Sequence, residues 1–169
     1  RLSPTRDDLV SIALQNIVTG CSCLVNKSCI KAALPFPSHV IMHDWWLAMV
    51  ASRLGHIAYE QSPCVSYRQH SSNLVGADGY PFLLFKRFRL FCTLKLSNIV
   101  YRTIRQLQAL VRLYPSANPC EDILIFNLTN PNRYIRILSA HRLRLSKHGL
   151  LRTLAFYFLC FVSQPDSHV

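Results

Sequence analysis

His43-Asp44-Trp45-Trp46-Leu47-Ala48-Met49-Val50-Ala51-Ser52-Arg53-Leu54-Gly55 is the stretch on which the reading of this chain turns. An acid stands before an apolar run, and a glycine closes it. The spacing predicts a helix over 44–54 with Gly55 as its C-terminal cap. Its side chains are apolar nearly all round, which places it inside the protein rather than on its surface. Two adjacent tryptophans suit a core, and they also suit a site that grips flat ligands such as sugars. Asp44 therefore carries two readings. It is a capping or first-turn acid favoured by the helix dipole, or it is a general base able to take a proton from a hydroxyl.

Upstream, residues 7–15 have helical spacing, with Asp7 and Asp8 in the first turn. Residues 17–25 become β-branched and small and read as a strand interrupted at Gly20, where a glycine permits either a structural bulge or the close approach of a ligand. Residues 28–34 fit a short helix stopped by Pro35 and Pro37. Downstream, residues 56–59 and 64–67 read as two short strands joined through Gln61-Ser62-Pro63. The second runs into Tyr67-Arg68-Gln69-His70. Arginine suits phosphate oxygens and a neutral histidine can ligate a divalent metal, although either residue is equally at home as a solvated strand end. Residues 71–79 are polar and contain glycine, so the regional boundary falls there, with 1–78 on one side and 79–169 on the other.

Charge divides the chain at the same place. Of the net +11, residues 1–78 hold six Lys/Arg against five Asp/Glu, while residues 79–169 hold thirteen against three. Beyond Pro81 the apolar residues Leu84, Phe88, Phe91, Val100, Ile104, Leu107 and Val111 recur at three- and four-residue steps. Asn118-Pro119-Cys120-Glu121 is a helix start, and Asn130-Pro131 repeats it, with Gly149 as the expected end. Residues 150–162 are strongly apolar, too short to span a bilayer and interrupted by Arg152, which reads as an interfacial or docking helix, or as a buried core helix. A basic, apolar region suits an anionic membrane surface or an acidic partner. Nucleic acid is not expected, because the basic residues are interleaved with aliphatics and no recognition motif is present. Seven cysteines with no Cys-x-x-Cys read as small buried hydrophobes in a reducing, cytoplasmic compartment, with a peripheral place on the inner membrane face open to the basic tail. The chain begins at Arg1 and is read as a piece of something longer.

In order and spacing, Gln15-Asn16-Ile17-Val18-Thr19-Gly20-Cys21, Asn26-Lys27, Leu34-Pro35-Phe36-Pro37, His43-Asp44-Trp45-Trp46, Gly55 and Tyr67-Arg68-Gln69-His70-Ser71-Ser72-Asn73-Leu74-Val75-Gly76 resemble the second half of the catalytic domain of family 2 glycosyltransferases, most like the bacterial rhamnosyltransferase-like branch. The resemblance covers roughly the first 80 residues and implies an α/β architecture, the C-terminal half of a GT-A fold followed by a helical region. It implies inverting transfer of a sugar from a nucleotide-sugar donor to a glycan or lipid-linked acceptor, in cell-surface polysaccharide assembly. By the same resemblance Asp44 is the catalytic base, and Gly20 and Cys21 line the donor and acceptor. His43, Trp45, Trp46, Arg68 and Gln69 contact substrate, and His70 helps hold Mg²⁺ or Mn²⁺. The family's Asp-x-Asp half would precede Gln15, where fourteen residues stand and Asp7-Asp8 reads as a helix start, so the expectation is a partial enzyme. The alternative is a fragment without catalysis that works as a membrane-surface or protein-binding module.

Overall fold

The computed structural model describes residues 8–66, 68, 95–146 and 150–162. Among them lie seven α-helices and one short 3₁₀ turn at Gly20–Ser22. The α-helices are α1 (Leu9–Leu14), α2 (Lys27–Ala33), α3 (His43–Leu54), α4 (Lys95–Leu113), α5 (Pro119–Asn127), α6 (Arg133–Arg142) and α7 (Leu150–Val162). No strand occurs among the described residues, so the expected α/β, GT-A-like architecture is overturned. The physical reason is visible at residues 16–23. The backbone at Thr19 and Cys23 is extended, as small and β-branched neighbours favour. A sheet also needs a second strand to exchange N–H···O=C bonds. Here the donors go elsewhere: Val18 N–H to Asn16 Oδ1 at 3.0 Å, Gly20 N–H to Asp44 Oδ2 at 3.0 Å and Ser22 N–H to the Thr19 carbonyl at 2.9 Å. The segments predicted as strands at 56–59 and 64–66 are likewise without regular structure, and Ser62 N–H turns back onto Glu60 Oε1 at 2.8 Å. Tyr67 lies outside the described residues.

Local chemistry sets the helix starts. Asp8 and Asn26 cap α1 and α2 by accepting from Ser11 N–H and Cys29 N–H, both at 2.8 Å. Asn118 caps α5, with Pro119 at its first position and Glu121 and Asp122 in its first turn. The next helix is capped by Asn132 rather than by the expected Asn130, because Asn132 Oδ1 reaches Tyr134 N–H at 2.9 Å. That helix stops at Arg142, well before Gly149, with Arg144 taking the left-handed conformation (φ 52°) that releases the chain.

Helix α4 is the spine. At 19 residues it is about 28 Å long. Its C-terminal half sends Leu107, Leu110 and Val111 into a core shared with Leu9, Ile12 and Ala13 of α1, Ala33 of α2, and Trp45, Trp46, Met49 and Val50 of α3. Its N-terminal half sends Val100 and Ile104 into a second cluster with Leu128, Ala140, Leu145, Phe156 and Cys160. Val100, Ile104, Leu107 and Val111 of the 3.6-residue pattern are thus a buried stripe, while Leu84, Phe88 and Phe91 lie outside the described residues, and α3 is buried as its composition demands. The C-terminal end of α3 is fixed to the α4–α5 turn and the start of α5 by Arg53, whose Nε donates to the Tyr114 carbonyl at 2.8 Å and whose Nη2 sits 3.2 Å from Asp122 Oδ1.

α6 and α7 form an antiparallel pair. Tyr157 Oη donates to the Ala140 carbonyl at 3.3 Å, and at the other end Arg136 Nε donates to the Cys160 carbonyl at 2.7 Å. The Arg136 guanidinium also reaches the Phe161, Asn130 and Pro131 carbonyls, so a buried cation caps the negative end of α7. Burial pushes its pKa down, Cys160 opposes that shift, and Arg133 adds to it. No helix among the described residues is long and apolar enough to cross a membrane. The six described cysteines are free thiols, but only Cys160 is buried; Cys21, Cys64 and Cys120 are exposed, contrary to the expectation of buried cysteines.

Candidate functional site

Met42 is the N-cap residue of α3 and offers no side-chain bond, so Asp44, inside the first turn, takes over part of that work. Its Oδ1 accepts from Trp45 N–H at 2.7 Å and from Asn16 Nδ2 at 3.3 Å. Its Oδ2 accepts from Gly20 N–H at 3.0 Å. One carboxylate therefore ties the start of α3 to the Gly20 segment 24 residues earlier. It is 4 % exposed.

Gly20 matters here for closeness rather than for backbone strain. A Cβ there would stand 3.0 Å from His43 Nε2 and 3.5 Å from Asp44 Oδ2. The structure thus brings together three residues singled out in the sequence, Gly20, His43 and Asp44. His43 is exposed, Gly20 is half-buried, and Cys21, next along the 3₁₀ turn, is exposed. The side of Asp44 that carries Oδ2 faces the bare Cα of Gly20 and the imidazole of His43.

The tryptophans are placed otherwise. Trp46 is 0 % exposed and Trp45 nearly so. Trp45 Nε1 donates to the Ile12 carbonyl at 2.6 Å and Trp46 Nε1 to the Ala33 carbonyl at 3.0 Å. Both rings belong to the core and leave no open face for a sugar, which corrects the expectation that they wall the site. Each indole buries roughly 150–250 Å², a gross hydrophobic contribution of about 4–6 kcal/mol. Their role is to hold α3 against α1 and α2, which fixes Asp44 in turn. Arg68 is exposed, while Gln69 and His70 lie outside the described residues.

Among the described residues no ligand set fit for a divalent ion surrounds Asp44, and His70, the expected ligand, lies outside them. Mg²⁺ and Mn²⁺ take an oxygen-rich set. Here one carboxylate already accepts three N–H groups, and its titratable neighbour is a single imidazole. No group of three His, Cys, Asp or Glu converges among the described residues.

Sequence reasoning missed two supporting residues. Asn16 was visible only as part of a motif, and nothing in its type marked it as a partner of Asp44. Gln106 is fully buried; its Oε1 accepts from Ile41 N–H at 2.8 Å and its Nε2 lies 3.0 Å from Met49 Sδ. It ties the loop before α3 to α4. The available signal was a polar residue between Ile104 and Leu107 in an otherwise apolar stripe.

Comparison of the chain with protein families, with curated proteins and with solved structures finds no match.

Proposed function

We propose that Gly20, His43 and Asp44 form the acceptor side of a sugar-transfer site, using a nucleotide-sugar donor and a glycan or lipid-linked acceptor. The motif order supports this reading, and one observation carries it. The Gly20 N–H donates to Asp44 Oδ2 at 3.0 Å, and the exposed His43 imidazole stands against the same glycine. An acceptor hydroxyl that displaces the exposed imidazole from over Gly20 reaches the Asp44 carboxylate. Oδ2 accepts the Gly20 N–H, and a carboxylate oxygen has a second acceptor direction.

In the reaction, the hydroxyl proton passes to Asp44 as its oxygen bonds to the anomeric carbon. The bond from that carbon to the nucleoside diphosphate breaks, and the electron pair leaves with the diphosphate. Attack opposite the leaving group inverts the stereochemistry. His43 orients the hydroxyl. No described residue is assigned to the diphosphate, and no step is assigned to a metal.

The test follows the Gly20 and Asp44 amide resonances while oligosaccharide acceptors are titrated into the chain, alongside transfer from nucleotide sugars. Shifts confined to these amides, abolished by Gly20→Ala, are expected. Amides that stay unmoved at millimolar acceptor would remove the reading. A purely structural role is the competing account, favoured by the 4 % exposure of Asp44 and its three N–H partners. Under that account Gly20→Ala leaves the titration unchanged.

A further inference from the structure

Helix α7 turns the wrong kind of surface outward. Phe156 and Cys160 face the core. On another side Leu150 is 75 % exposed and Leu154 and Phe158 are each 56 % exposed. At i, i+4 and i+8 these three form one stripe. Phe161, three residues on from Phe158, meets the exposed ring of Tyr134 edge-on at 6.4 Å, which carries the apolar surface across to α6. Leu138 of α6 is exposed as well.

Charge indicates what covers it. From Ile123 to Val162 the sequence contains six Lys/Arg and no Asp or Glu. Arg136 is spent inside the fold on the end of α7. Arg133, Arg142 and Arg144 are exposed on α6 and the turn after it, whereas Arg152, two residues from both Leu150 and Leu154, is exposed on the other side of α7. A second copy docking face to face would set these arginines against one another. An apolar stripe rimmed by cations, with no acid to repel a negative surface, complements an anionic lipid bilayer. At 13 residues α7 is about 20 Å long, too short to cross a bilayer.

We infer that the α6–α7 hairpin is a docking face for an anionic membrane surface. Leu150, Leu154 and Phe158 enter the headgroup–acyl boundary, and Arg133, Arg142 and Arg144 rest on lipid phosphates. This inference is independent of any chemistry at Asp44.

The experiment is co-sedimentation of the full chain with vesicles of phosphatidylcholine alone and with 30 % phosphatidylglycerol. Binding at least tenfold tighter to the anionic vesicles is expected, weakening with salt. Leu154→Gln with Phe158→Gln should lower it a further tenfold or more. Both side chains are exposed, so the unfolding midpoint should hold. Arg142→Gln and Arg144→Gln should cost about fivefold each. Three results would overturn the inference: equal binding to both vesicles, anionic binding untouched by the double glutamine variant, or self-association without vesicle binding. Preference for a DNA duplex over the anionic vesicles at equal phosphate would also overturn it.

Discussion

The Gly20 amide and the Asp44 carboxylate meet at 3.0 Å across 24 residues of chain, and this contact fixes the geometry of the candidate site. The two residues stand on segments with no shared regular structure. What holds them is one buried acceptor at the start of a helix whose next two side chains are anchored in the core.

Asp44→Ala removes the acceptor for Gly20 N–H, Trp45 N–H and Asn16 Nδ2 together. The Trp45 amide is buried, and an unsatisfied buried donor costs about 1–3 kcal/mol. The other two donors are partly exposed and regain water. The expected loss is about 2–3 kcal/mol in urea unfolding, with faster hydrogen exchange at Gly20. Asp44→Asn keeps the shape but turns one side from acceptor to donor, so a smaller loss of about 1–2 kcal/mol is expected. Equal stability of all three chains would show that the contact does not hold the segment.

Gln106 gives a second prediction, on the opposite side of α3. Gln106→Leu fills similar space but strands the Ile41 amide. A destabilisation of about 1–3 kcal/mol is expected, read as a lower denaturation midpoint at unchanged slope. Gln106→Glu should be worse near neutral pH, since it places a charge among Met49, Leu107 and Leu110.

Much of the helical skeleton was legible, and the reason is local. Asn118-Pro119, the run from Trp45 to Val50, and the stripe of Val100, Ile104, Leu107 and Val111 announce themselves within a few turns. The sheet was misread because β-branched residues such as Ile17 and Val18 specify an extended backbone, whereas strand pairing depends on a partner elsewhere in the chain. The site was half legible. Gly20, His43 and Asp44 do come together, but the tryptophans sit in the core, which was not legible because a Trp pair reads the same from sequence whether its N–H groups donate to the Ile12 and Ala33 carbonyls or its faces meet a ligand. Gln106 needed the fold itself, since its partner Ile41 is 65 residues away.

His39 makes stability depend on pH. Burial lowers its pKa first, with the cations Arg105 and Arg112 adding to that, and its Nε2 is buried with no hydrogen-bond partner among the described residues. The folded state therefore prefers the neutral ring, while the unfolded chain protonates near the ordinary value of 6.5. Between the two pKa values the unfolded chain binds more protons, so stability rises with pH. The contribution is complete above about 6.5 and is lost as pH falls toward the folded-state value. Unfolding temperature should drop between pH 7.5 and 5.5, and His39→Gln should flatten that slope. An unchanged slope in the variant would assign the effect to another group.

Arg144 tests how α6 ends. Its φ of 52° is left-handed, a conformation that costs a side-chain-bearing residue about 1–2 kcal/mol relative to glycine. It persists because Arg144 N–H reaches the His141 carbonyl at 2.9 Å and Leu145 N–H the Ala140 carbonyl at 3.0 Å, closing the helix and turning Leu145 into the second core cluster. Arg144→Gly relieves the strain but gives the unfolded chain more freedom, which returns part of the gain. A net stabilisation of about 0.5–1 kcal/mol is expected, visible as a higher urea midpoint. Arg144→Ala keeps the Cβ and should gain nothing. If glycine and alanine behave alike, the backbone at this position is not left-handed in solution. On anionic vesicles the two variants should lose binding equally, because both remove the same cation while only one relaxes the turn.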